Sequence, residues 1–133
     1  MFREEIKPKV GPSKKTLGVQ VGMNPNDDVS PDADGNVAPG RGGMSVAPTW
    51  RALPPHRIPS RLRAKCPKAL GNDSYVCWRM GSGPFESARF ISCLQLRIDS
   101  VVHGTVEPDR MMPLERFQAA LAATREEWIV DEE

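Results

Sequence analysis

Only one segment of this chain reads as a helix, and everything before it is cut up by prolines and glycines. From about Pro113 to Trp128, Leu114, Phe117, Leu121 and Trp128 recur at helical spacing, with Ala120 and Thr124 on the same face. Pro113 suits a first helical position, and Glu115 complements the positive end of the helix dipole. Eleven glycines and thirteen prolines make up about 18% of the 133 residues, above the roughly 12% of an ordinary domain. Much of the remaining backbone must therefore run as turns and extended loops. A chain of this length holds one modest core.

Tyr75–Met80 is the clearest strand by its β-branched and aromatic content, and Gly81-Ser-Gly-Pro84 closes it. Phe90–Ile98 reads as a second strand, Val101–Val106 as a third that is broken at Gly104, and Leu17–Val21 as a short further one. Asp34-Gly35-Asn36 signals a tight turn, because glycine accepts a positive φ without steric cost. Three prolines within Leu53–Pro59 exclude a helix there and predict polyproline II. Residues 1–14, with Pro8 and Pro12, read as an extended arm pinned by Phe2 and Ile6, and residues 15–133 as a single domain. The expected fold class is α+β: a small antiparallel sheet, long Gly/Pro-rich loops and one C-terminal helix packed on the sheet.

Several function classes are set aside by composition. The net charge of +1 offers no general attraction to nucleic acid or an anionic membrane. No stretch approaches the roughly 20 apolar residues of a membrane span. Arg3, Glu4, Glu5 and Lys7 interrupt any secretory apolar run, which predicts a cytoplasmic location unless a signal-independent machine delivers the chain into a target cell. Cys66, Cys77 and Cys93 form no CxxC pair, so structural zinc and a disulfide framework are not expected, and Cys77 and Cys93 read as buried thiols. Asp27, Asp28, Asp32 and Asp34 lack the alternating oxygen ligands of a calcium loop, so no metal is expected. The basic run Arg57, Arg61, Arg63, Lys65 and Lys68 carries no interleaved aromatics, which favours a solvated face or an acidic protein partner over a nucleic-acid groove.

Chemistry has few places to sit. His56 and Arg57 lie in the proline-locked segment, where an imidazole and a guanidinium side by side would grip a pyrophosphate; an Arg paired to a loop aspartate is the plainer reading. His103 and Glu107 are four apart in an extended segment, so both point to one face and would line one cleft wall; a strand-edge histidine and a solvated glutamate are the alternative. Gly42-Gly43-Met44-Ser45 lets a ligand approach the main chain beside a hydroxyl, although a tight turn explains the glycines equally well. No GK[ST] follows it, no GxGxxG opens a helix, and no serine sits in a GxSxG elbow. Trp78 supplies either an aromatic wall or core packing.

Two segments, in order, resemble a known family. The stretch from Asn26 to Val46, with its aspartates, its Asp34-Gly35 turn and its Gly42-Gly43-Met44-Ser45-Val46 end, is similar to that of small type VI secretion effector toxins with an ADP-ribosyltransferase-like fold. His103–Pro113 and the following helix to Trp128 resemble the last strand and C-terminal helix of those toxins. Together the match spans about 60 of 133 residues. The resemblance implies an NAD-dependent toxin, transferring ADP-ribose to an unknown macromolecular target or otherwise consuming NAD, and neutralised by a cognate immunity protein.

Position by position, Ser45 matches the family hydroxyl residue after the glycine pair and would position the nicotinamide ribose beside Gly43. Met44 replaces a second hydroxyl residue of the family. His103 matches a family histidine and would contact the ribose. Glu107 has no family glutamate opposite it, but stands on the terminal strand, where ADP-ribosyltransferases use a glutamate to stabilise the positive charge left on the ribose as nicotinamide departs. Phe2-Arg3 resembles the aromatic–Arg pair of the first strand in such folds, which makes Arg3 or Arg57, with His56, the phosphate clamp. The competing reading, which Met44 favours, is a non-enzymatic binding module of the same fold that recognises a protein partner through its loops.

Overall fold

The computed structural model describes residues 2–5, 28–81, 84–91 and 93–133. Among the described residues the first half holds three short strands, β1 (Phe2–Glu5), β2 (Asn36–Val37) and β3 (Met44–Val46), then 3-10 turns at Trp50–Ala52, Pro55–Arg57 and Ser60–Leu62. After these come β4 (Tyr75–Met80), β5 (Ala88–Ile91), β6 (Leu94–Ser100), β7 (His103–Pro108) and β8 (Met112–Pro113). The helix α1 (Leu114–Ala123), a 3-10 turn at Arg125–Glu127 and β9 (Trp128–Val130) finish the chain. The fold is mixed α+β. Its strands form sheets in the orders β1-β4-β9, β2-β8 and β3-β7-β6-β5, and every named pairing is antiparallel.

Alternation along β6 and β7 decides which face of the four-stranded sheet is dry. Leu94, Leu96 and Ile98 point one way, and register puts them opposite Pro108, Val106 and Gly104. Met44 and Val46 of β3 join that face, opposite Val106 and Gly104. Phe117 and Leu121 of α1 cover it, so that Met44, Leu94, Val106, Phe117, Leu121, Met112 and Trp128 form one buried core. Gly104, the second residue of β7, leaves room for its neighbours: an added Cβ would come within 2.9 Å of Ile98 Cδ1 and 3.1 Å of Phe85 Cζ, and those side-chain ends would have to shift. A second cluster of Ala47, Trp50, Leu53, Ile58, Leu62, Cys66, Ala69 and Cys77 lies under the 3-10 turns.

The helix is shorter than its apolar spacing predicts. It ends at Ala123, and Thr124 donates its hydroxyl to Leu121 O at 2.7 Å while accepting from Trp128 Nε1 at 2.9 Å. Trp128 therefore reaches the core from β9, pairing with Met80 of β4, rather than from a fifth helical turn. The Leu53–Pro59 segment is also not polyproline II throughout. Pro55 occupies the first position of a 3-10 turn, where its missing N–H is no loss. Residues 2–5 of the expected arm form a strand paired to β4, with Arg3 opposite Cys77, and β1 also runs beside β3 with Cα pairs within 8 Å. The expected strand at Leu17–Val21, the rest of the arm and Asp27 lie outside the described residues. The segment expected as one strand over Phe90–Ile98 is two, separated by a turn at Cys93, which is half-buried with a φ of 70°. The third strand begins at His103, after a turn at Val101-Val102, and runs unbroken through Gly104.

Two residues of the basic run, Arg61 and Lys65, meet Glu132 within the chain. Arg61 donates both terminal nitrogens to Glu132, at 2.8 and 2.6 Å, and also reaches the carbonyls of Asp73 and Tyr75. Lys65 Nζ donates to Glu132 O, while Trp50 Nε1 and Arg51 Nη1 donate to Glu133 O. Burial pushes the Glu132 carboxyl up, but the Arg61 bonds, the Cys77 N–H and Lys65 outweigh it and hold it below the usual carboxylate range. Among the described residues no helix is long and apolar enough to cross a membrane.

Two outcomes test this packing. Truncating Leu121 to Ala should cost about 2–5 kcal/mol in urea unfolding, because the residue is fully buried and surroundings relax only partly around such a loss. A depressed folded-state pKa stabilises above the unfolded value and ceases to as pH falls through the folded one. The Glu132 contribution should thus be present above pH 4.5 and fade below it. Glu132→Gln should lower stability at neutral pH and flatten the acid limb of a stability–pH curve.

Candidate functional site

The opposite face of the four-stranded sheet is polar, and it gathers three of the residues singled out from sequence. Register aligns Ser45 of β3, Thr105 of β7 and Arg97 of β6 in one row across the strands. The neighbouring row is Glu107 of β7, Gln95 of β6 and Arg89 of β5. His103 lies two residues before Thr105 on the same side, at the β6–β7 turn. All these side chains share a face because residues two apart on a strand point the same way.

Glu107 is the centre of this face and is wholly removed from solvent, at 0% exposure. Its Oε1 accepts from Arg97 Nε at 3.0 Å and from the Gly40 N–H at 3.1 Å, and its Oε2 accepts from Gln95 Nε2 at 2.7 Å. The sequence suggested a carboxylate lining a cleft or exposed to water; the structure places it under the 38–43 loop, with both oxygens engaged by protein donors. A buried carboxylate is tolerable only when paired and hydrogen-bonded in this way. Gln95 and Arg97 were missed. Their signal was the alternation Leu94-Gln-Leu-Arg-Ile98, which puts the two polar residues on one face, but the register that brings them to Glu107 is not readable from one strand alone.

His103 is half-buried, and its Nδ1 lies 2.7 Å from Asp99 Oδ1 across the turn, which orients the ring on the polar face. Ser45 is exposed, and its hydroxyl has no partner among the described residues. Thr105 between them is buried.

The two glycines before Met44 have a structural reason. Gly42 has a φ of 104°, and an added Cβ would stand 2.1 Å from Asp28 O. At Gly43 a Cβ would stand 2.2 Å from Val106 O and 2.9 Å from Thr105 Cγ2. Gly43 thus lets the loop close against β7, a close approach of backbone to backbone where sequence reading had entertained a ligand. Met44 is buried in the core, so the position where the toxin family has a second hydroxyl faces away from Ser45.

The remaining candidates lie elsewhere. His56 and Arg57 sit in the 3-10 turn beside the second cluster, His56 exposed and Arg57 half-buried. Trp78 packs against the main core from β4, and its buried Nε1 has no hydrogen-bond partner among the described residues. Arg3 is placed by register only, on the strand that runs beside β3. Asp32 caps its own turn, accepting the N–H groups of Asp34 and Asn36 at 2.9 Å, and no group of three or more His, Cys, Asp or Glu among the described residues could hold a metal ion.

Comparison with protein-family models, curated proteins and solved structures finds no significant match to this chain.

The glycine assignment is directly checkable. Gly43→Ala should lower unfolding stability by roughly 1–3 kcal/mol, since the clash is with backbone that cannot give. A melting temperature equal to that of the wild type would instead return Gly43 to the ligand.

Proposed function

We propose that this protein is an NAD-dependent toxin acting in the cytoplasm of a target cell, transferring ADP-ribose or otherwise consuming NAD, with its site on the polar face of the β3-β7-β6-β5 sheet. One observation carries the reading: Ser45, chosen from one stretch of sequence, falls on the same face of adjoining strands as His103 and Glu107, chosen as a pair from another.

The residues present suit a sugar–phosphate ligand. Ser45 offers an exposed hydroxyl, His103 an imidazole oriented by Asp99, and Arg97 a guanidinium braced by Glu107. NAD supplies a glycosidic bond whose cleavage leaves positive charge on the ribose. Ser45 positions that ribose and His103 contacts it. Glu107, in the arrangement observed, acts from behind Arg97 and contributes by fixing the guanidinium and the 38–43 loop. A cognate immunity protein would neutralise the toxin by covering this face.

A second reading is favoured by a specific feature. Both oxygens of Glu107 are engaged by protein donors, which suits a non-enzymatic module that has kept the fold and binds a protein partner through its loops.

Thermal melting with NAD and growth of a bacterial host separate the two. NAD at about 100 times its Kd would add about 2.7 kcal/mol of stability, a shift of several degrees. Wild-type expression should arrest growth, Ser45→Ala should weaken the arrest, and Glu107→Gln should abolish it while leaving a folded protein. Normal growth on wild-type expression, together with a melting temperature indifferent to NAD, would rule out the toxin reading in favour of the module.

A further inference from the structure

Arg97 is ordered before any ligand arrives. Its Nε is committed to Glu107 Oε1 at 3.0 Å, and Glu107 is itself locked by Gln95 and Gly40. The Arg97 side chain nonetheless stays 47% exposed, against 1% for its partner. Its two terminal amino groups have no partner among the described residues. A guanidinium held by one edge presents the other as a fixed pair of donors, the geometry that suits two oxygens of a phosphate. The rotamer entropy that an exposed arginine loses on binding is largely surrendered here during folding.

Two charges flank the guanidinium: Asp99, exposed on the same strand, is turned to His103 at 2.7 Å, and Arg41, an exposed residue whose side chain has no partner among the described residues, follows Gly40 on the loop that docks on Glu107. Arg97 is separated from Ser45 by Thr105 alone, two cross-strand steps that span about 10 Å at Cα. A single ligand of nucleotide size reaches both ends of that row.

We propose that Arg97, braced by Glu107, binds the pyrophosphate of a dinucleotide laid across this face, in place of the Arg3 or Arg57 clamp expected from sequence. The assignment of the dinucleotide rests on the function proposed above; the oxyanion site does not. Arg57 belongs to the turn over the second cluster, while Arg97 stands in the row that contains Ser45.

Calorimetric titration of the full chain with inorganic pyrophosphate and, separately, with NAD tests both statements. Wild type should bind each. Arg97→Lys should weaken pyrophosphate binding several-fold, because an ammonium cannot hold Glu107 by one edge and a phosphate by the other. Arg97→Gln combined with Glu107→Gln leaves no buried charge unpaired and should lose about tenfold or more in affinity, with circular dichroism verifying the fold. If that double variant fails to fold, the lysine variant decides. Pyrophosphate binding that depends on Arg97 in a protein that ignores NAD would uphold the oxyanion site and overturn the NAD reading. NAD binding of equal strength in wild type and in every folded Arg97 variant would overturn the role of Arg97 and leave the function standing. No pyrophosphate binding by the wild type would overturn the site itself.

Discussion

A carboxylate removed from water needs partners, and Glu107 draws three of them from two separated parts of the chain: Gly40 in the loop before β3, and Gln95 and Arg97 on β6. Few other contacts on the polar face have this reach. The carboxylate ties the 38–43 loop to the sheet, sets the rotamers of Gln95 and Arg97, and so determines where the face is covered and where it is open. Removing any one donor would leave part of a buried charge unsatisfied, a penalty larger than the net worth of an ordinary hydrogen bond. The arrangement is therefore stiff, and a stiff surround is what a binding face requires if its donors are to stay in place.

The same strands serve two ends. Leu94, Leu96, Val106 and Met44 turn to Phe117 and Leu121, while Ser45, Thr105, Arg97 and Glu107 turn to the opposite face. A one-residue slip of β6 against β7 would exchange these sets, burying Arg97 in the core and exposing Leu96. At Gly104 the ends of Ile98, Leu96 and Phe85 close over the backbone, a fit that belongs to this register. Core and site are consequently specified by one register.

Sequence carried the local features well. Leu114, Phe117 and Leu121 announced the helix, Tyr75–Met80 the strand β4, and Asp34-Gly35 the turn, where Gly35 has a φ of 79°. It did not carry what depends on register or on distant partners. Trp128 stands seven residues after Leu121, a spacing that fits a helix as well as a chain that leaves it at Thr124 and returns through β9. Glu107 could be placed on a face with His103, but not beneath a loop that arrives from Gly40. Arg61 looked like part of a solvated basic run because Glu132, its partner, lies 71 residues away. Each miss is a long-range pairing that no local propensity encodes.

The sheet β1-β4-β9 takes its strands from residues 2–5, 75–80 and 128–130. Two long loops must close before it exists, and pairings so distant along the chain form late and slowly. The β6–β7 hairpin closes over a short turn, whereas the pairing of β4 with β9 waits until residues 128–130 are available. β4 is thus the seam on which residues 2–5 and 128–130, remote from each other along the chain, are brought side by side.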